Sequence, residues 1–186
     1  MLARCLLAVA ALAAAPAAWS NGVDLNVNDD AARITVNVDL SNNLLLDGSW
    51  FHHEDNGDIA GAGLHLTGDA SGGRSPVTAG LGGRLLWANS DVAGKDDGFV
   101  LPLGGFVEYT LPQYNRFSFG GSAYYAPDVL AFGDMTKYWE YNAWAGYSVL
   151  RQGQIYLGLR GIRAEYDDSP DVSFDTGVHV GLRLEF

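Results

Sequence analysis

Apolar and polar residues alternate one by one along most of this chain. In "ARITVNVDL", Ile34, Val36, Val38 and Leu40 interleave with Arg33, Thr35, Asn37 and Asp39. "VTAGLGGRLLW" sets Val77, Ala79, Leu81, Leu85 and Trp87 against Thr78, Gly80, Gly82 and Arg84. "SFDTGVHVGLRLEF" sets Phe174, Val178, Val180, Leu182, Leu184 and Phe186 against Asp175, Gly177, His179, Gly181, Arg183 and Glu185. A period of two puts one row on each face of a β-strand, and no segment carries a helical stripe. The pattern predicts ten strands, at 22–28, 32–40, 44–52, 58–67, 76–88, 98–110, 116–126, 138–150, 154–166 and 174–186.

Several of these exceed the five or six residues usual in a soluble sheet and match the ~10 residues of a tilted strand crossing a bilayer. Lipid offers backbone groups no partners, so a spanning sheet must close on itself. The expected fold is therefore all-β: a closed antiparallel up-and-down transmembrane β-barrel of about ten strands, with eight as the alternative even count. Connections alternate in length as such a barrel requires. "SNN" (41–43), "PQY" (112–114) and "RQG" (151–153) are tight, whereas 89–97, 127–137 and 167–173 are long. The turn at 68–75 is oversized for its side. Short turns face the periplasm and long loops the exterior.

Residues 1–20, MLARCLLAVAALAAAPAAWS, combine Arg4, an apolar run and small residues before a polar stretch. This reads as a cleaved signal peptide, leaving residues 21–186 as the barrel. The one cysteine, Cys5, falls inside the signal, so the mature chain has no disulfide. No later run approaches the ~18 apolar residues of a membrane helix. The net charge of -11 argues against nucleic acid as a partner. Thirteen acids (Asp29, Asp30, Glu54, Asp55, Asp58, Asp91, Asp96, Asp97, Asp128, Asp134, Asp167, Asp168 and Asp171) face Lys95 and Lys137 in the outer connections. The opposite turns hold Arg74, Arg116 and Arg151 against Asp69. A soluble sandwich has no reason to sort charge between its ends in this way.

The chain closes on "HVGLRLEF", with His179, Gly181, Leu184 and Phe186 spaced like the strand signal read by the barrel-assembly machinery. A final strand can add to an exposed sheet edge while its aromatic ring settles at the membrane interface. Trp50, Trp87, Phe99, Tyr109, Phe117, Tyr125, Trp139 and Tyr147 fall near strand ends on the outward rows, where amphipathic rings form girdles at headgroup level. "LDGSWFHHEDNGDIAGAGL" (46–64), "YYAPDVLAFGD" (124–134) and "YWEYNAWAGYSVL" (138–150) resemble the YfaZ family of small proteobacterial outer-membrane proteins. That resemblance implies an outer-membrane barrel and carries no catalytic residues with it.

Inward rows collect Arg33, Asp39, Asp47, His65, Arg84, Glu108, Glu140, Asn142, Arg160, Asp175, His179, Arg183 and Glu185. Arginines among carboxylates neutralise one another and fill a narrow interior. Gly61, Gly63, Gly80, Gly82, Gly120, Gly158 and Gly181 would instead leave room for water. "HHEDNGD" (52–58) offers histidines beside carboxylates, yet Asn56-Gly57 is a turn signal and explains the stretch as a hairpin. "APDVLAFG" (126–133) places Val129, Leu130 and Phe132 in an outer loop, expected to pack back on the barrel mouth. No nucleophile set, metal spacing or phosphate loop appears, so no cofactor, metal or enzymatic activity is expected. The leading reading is an outer-membrane barrel with a structural or surface-interaction role and a lumen plugged by its charged network. A narrow channel for small solutes or ions comes second, and a barrel-embedded lipid- or peptide-modifying enzyme third. Expected partners are outer-membrane lipid, lipopolysaccharide and, during biogenesis, the assembly machinery; nothing in the sequence sets an oligomeric state.

Overall fold

The computed structural model describes residues 21–72, 76–91, 97–167 and 171–186. Residues 1–20, expected to be a signal peptide, and the loop charges Arg74, Lys95, Asp96 and Asp168 lie outside the described residues. The strands are β1 (Asn21–Val27), β2 (Ala31–Ser41), β3 (Leu44–His53), β4 (Gly57–Asp69), β5 (Val77–Ser90), β6 (Asp97–Val100), β7 (Leu103–Thr110), β8 (Phe117–Ala126), β9 (Ala131–Gly133), β10 (Met135–Leu150), β11 (Gly153–Tyr166) and β12 (Val172–Glu185). Every pairing is antiparallel. The ring runs β1–β2–β3–β4–β5–β7–β8–β10–β11–β12 and closes where β12 pairs with β1, so ten strands form the wall. Both ends of the described chain lie at the rim of short turns.

The two remaining strands extend the wall at the long-loop end. β6 continues β7 along β5, and β9 continues β8 and pairs with β6. The sequence pattern predicts one strand over 98–110, but the ladder breaks at Leu101-Pro102. Proline has no N–H to give a ladder, and Pro127 interrupts β8 at the same rim. A short 3-10 turn over Asp128–Leu130 fills the second gap, where the Leu101 N–H donates to the Leu130 carbonyl at 2.9 Å. Leu130 packs against buried residues inside the mouth, whereas Val129 stays exposed.

Outward rows are greasy. Leu66 and Leu81 expose 69% and 73% of their surface, which in water would be costly and in lipid is required. Trp50, Trp87, Phe99 and Phe132 sit in one register row through Ala60 near the outer rim. Trp139 and Tyr125 pair on the other side of the same rim. Tyr109, Phe117 and Tyr147 mark the opposite end, with the Phe117 and Tyr147 rings edge to face at 5.0 Å. Trp50 and Trp87 donate their indole N–H groups to Asp58 and Asp97 at 3.2 and 3.3 Å.

Phe174 departs from its expected outward place. A bulge lies between Ile162 and Arg163: Asp175 pairs with Ile162, and Ser173 with Arg163. The extra residue is Phe174, so Phe174 and Asp175 both point inward although they are consecutive.

Candidate functional site

The barrel interior has two parts. Toward the long-loop end it is filled by Phe51, Ile59, Leu86, Val100, Tyr138, Ile162 and Phe174, none more than 3% exposed, with Ala88, Ala126 and Ala164 between them. Beneath this layer lies a connected set of charges. Arg33 on β2 donates to Glu140 on β10 at 2.7 Å, tying opposite walls. Arg84 reaches Glu140 at 3.5 Å and Asp47 at 3.4 Å, and its guanidinium lies 4.1 Å over the Tyr124 ring. The Tyr138 hydroxyl donates to the second Glu140 oxygen at 2.7 Å. Arg160 donates to Asp175 at 2.7 Å and also to Asn26, while Asn28 donates to Asp175 from the β1–β2 turn at 3.0 Å. Both Arg33 and Arg160 lie over the Phe51 ring, at 5.3 and 4.9 Å, which joins the charged set to the apolar layer.

Glycines make the set possible by close approach. His65, Gly82, Gly104 and Tyr124 form one row across β4, β5, β7 and β8. The His65 and Tyr124 side chains meet at 2.9 Å above the two glycines. A Cβ on Gly82 would lie 2.0 Å from the Leu64 carbonyl oxygen. The other face of His65 meets Asp47 at 3.1 Å. Near the C-terminus a Cβ on Gly181 would fall 2.1 Å from the Tyr156 ring. Space at Gly80, Gly120 and Gly158 is likewise taken by Phe106, Trp144 and His179 side chains rather than left open.

Toward the short-turn end the interior opens into a cavity of about 280 Å³. Arg183 on β12 crosses its mouth, donating to Glu108 on β7 at 3.0 Å and to Asp24 at 3.2 Å. Tyr156 donates to Asp24 at 2.6 Å. Thr35, Asn37, Ser122, Asn142 and Trp144 line the wall with Asp39 and Glu185.

The structure thus gathers Arg33, Asp47, Arg84, Glu140, Arg160 and Asp175 in one buried network and Glu108 with Arg183 in a bridge below it. Asp39 and Glu185 join neither and line the cavity. Asp24, Asn26, Tyr124, Tyr138 and Tyr156 belong to the network yet escape sequence reasoning; Asp24 and Asn26 carry the inward parity of "VDLNV", a signal hidden in a short strand. His179 is buried with no hydrogen-bond partner at either nitrogen among the described residues, its ring 5.9 Å from Tyr156. Leu184 and Phe186 face outward at the short-turn rim. The "HHEDNGD" stretch forms a hairpin with Gly57 at φ 110°. His53 accepts from the Asp55 and Asn56 N–H groups at 3.1 and 3.2 Å, and His52 meets Asp58 at 3.0 Å.

A protein-family model described as YfaZ precursor matches residues 2–186. The outer membrane protein YfaZ of Escherichia coli (strain K12) is 33% identical over 144 residues, covering 77% of this chain and 75% of that protein. Among solved structures, the KdgM porin aligns over 90% of this chain and 99% of its own, with 12% identity and a TM-score of 0.48. The outer membrane channel DcaP of Acinetobacter baumannii aligns over 84% of this chain and 62% of its own, with 11% identity and a TM-score of 0.32.

Proposed function

The chain belongs to the YfaZ family of outer-membrane proteins, and from the packing of its interior we propose that it is a barrel closed at the outer end, with a structural or surface-interaction role. The observation that carries this reading is the burial of Phe51, Tyr138, Val100 and Phe174 across the interior, at 1% exposure or less. A solute would have to displace these side chains and then part the Arg33–Glu140 pair, whose Glu140 side chain is only 3% exposed. Separating a largely buried ion pair is expensive. Ion pairs that tie opposite walls, as Arg33–Glu140 and Arg183–Glu108 do, resist widening of the barrel.

The closed end is also the end of the long acidic connections, which fits a surface that meets lipopolysaccharide or other envelope components rather than one that conducts. On the same reading the final strand, with His179, Gly181, Leu184 and Phe186, is presented to the assembly machinery before it pairs with β1. No catalytic role is assigned. His65 is engaged by Asp47 and Tyr124, and His53 by its own turn.

Planar-bilayer recording of the purified protein tests closure. The expected trace is a baseline without reproducible unitary steps. Discrete steps of constant size in the unmodified protein would replace this reading with the narrow channel.

A further inference from the structure

The cavity at the short-turn end is a built space that closure of the outer end does not require. We propose that it is a periplasm-facing binding site for a small organic cation of the aliphatic amine class. This goes beyond the closed-barrel reading and does not depend on it, because the cavity opens on the opposite side from the apolar layer.

Three independent features of the wall select that chemistry. First, its charges do not balance. Asp24, Asp39, Asp47, Glu108, Glu140 and Glu185 line the space, against Arg33, Arg84 and Arg183. Each of these guanidinium groups is committed to carboxylates already: Arg33 to Glu140, Arg84 to Asp47 and Glu140, Arg183 to Asp24 and Glu108. Asp39 and Glu185 keep no cationic partner among the described residues. A concave site with low-dielectric walls and uncompensated carboxylates concentrates cations and repels anions.

Second, neutral hydrogen-bonding groups face the same space unused. Thr35, Asn37 and Ser122 line it without a side-chain partner among the described residues, and the buried Asn142 Oδ1 lacks a donor. A ligand rich in N–H groups supplies the donor that the buried Asn142 Oδ1 lacks and offers hydrogen bonds to the half-buried Thr35, Asn37 and Ser122. Third, Trp144 and Phe106 present apolar surface that suits the methylene stem of an amine. The volume, about 280 Å³, accommodates a molecule of a few carbons.

The arrangement around Gly22 gives the site its shape. Gly22 sits between Asn37 on β2 and Glu185 on β12 in one register row. A Cβ there would meet only the Leu184 oxygen at 3.5 Å and Asn37 atoms at 3.9 Å or more, so the backbone does not require glycine. Absence of a side chain at this position leaves the approach from Glu185 toward Asn37 open.

Putrescine serves as the probe, added to protein purified from outer membranes in detergent micelles. Calorimetry and tryptophan fluorescence are expected to show saturable binding that weakens as ionic strength rises. Asp39→Asn combined with Glu185→Gln should weaken it at least tenfold while heat-modifiable gel migration is retained, because two charge-assisted contacts are lost. Gly22→Leu, which fills the space without a backbone clash, should abolish it and keep the fold. No saturable signal with millimolar putrescine would overturn the proposal. So would equal or tighter binding of glucose or glutamate, or calcium binding that putrescine fails to displace. Binding unchanged in both variants would overturn the placement. None of these outcomes bears on the bilayer recording, so the two readings fail separately.

Discussion

The outer half of the barrel interior and its inner half are built from the same strands, two to four residues apart, yet one is filled and the other is open. In the outer half Phe51, Tyr138 and Phe174 fill the interior and their neighbours are paired charges, Arg33 with Glu140 and Arg160 with Asp175. In the inner half Thr35, Asn37, Asp39 and Glu185 stand around empty volume without side-chain partners among the described residues. The difference teaches that a barrel wall does not dictate its contents. Strand number sets the width; the residues on the inward row decide whether that width is spent on packing or on a cavity.

If that contrast is physical, the largest effects belong to the outer network. Glu140→Ala removes the one carboxylate shared by Arg33 and Arg84, leaving Arg33 without an ion-pair partner among the described residues and Arg84 with Asp47 alone. A loss of about 3–5 kcal/mol is expected, read as a lower urea midpoint and a lower temperature for the gel-mobility shift. Loss below about 1 kcal/mol would mean that water reaches these charges and the outer half is not closed. Next comes Phe51→Ala, which opens a void beneath two arginines and should cost about 3 kcal/mol. The same change at the half-buried Phe106 of the inner half is expected to cost about 1 kcal/mol, since its cavity-facing side has few neighbours to lose. Equal losses at the two positions would erase the distinction between the halves.

The wall itself was readable from alternation because lipid forces one face of each strand to be apolar while the other faces charge. All ten strands fall within a few residues of the positions predicted from that rule. The interior was readable only where its residues are ionised. Arg33, Asp47, Arg84, Glu140, Arg160 and Asp175 stand out on polar rows, but Leu86 and Val100 sit beside the outward Leu85, Trp87 and Phe99 in runs where both faces are apolar. There the period of two vanishes, so the apolar layer leaves no trace in the pattern. Phe174 was placed on the wrong face because a bulge shifts parity by one residue, and no composition signal marks it. Glycines misled for a related reason. Their role at Gly82 and Gly181 depends on which ring the neighbouring strand places above them, a fact of register that one strand alone does not contain.

The smallest effects give the cleanest version of the comparison, because they delete one hydroxyl and change little else. Tyr138→Phe removes the donor to Glu140 in the outer half, a hydrogen bond of 2.7 Å to a buried carboxylate. Bonds to charged groups contribute about 1.5–3 kcal/mol, so stability should fall by roughly that amount. Thr35→Val removes a hydroxyl that has no side-chain partner among the described residues and replaces it with a methyl of the same shape at the cavity wall. A change within about 0.5 kcal/mol of zero is expected, as for a substitution that breaks no packed or bonded feature. The two measurements share a chemistry and differ in place, so their ratio isolates what the position contributes. If Thr35→Val proved as costly as Tyr138→Phe, the hydroxyl would have to be held by ordered water bound tightly enough to count as structure, and the inner half would then be filled after all, by solvent instead of side chains.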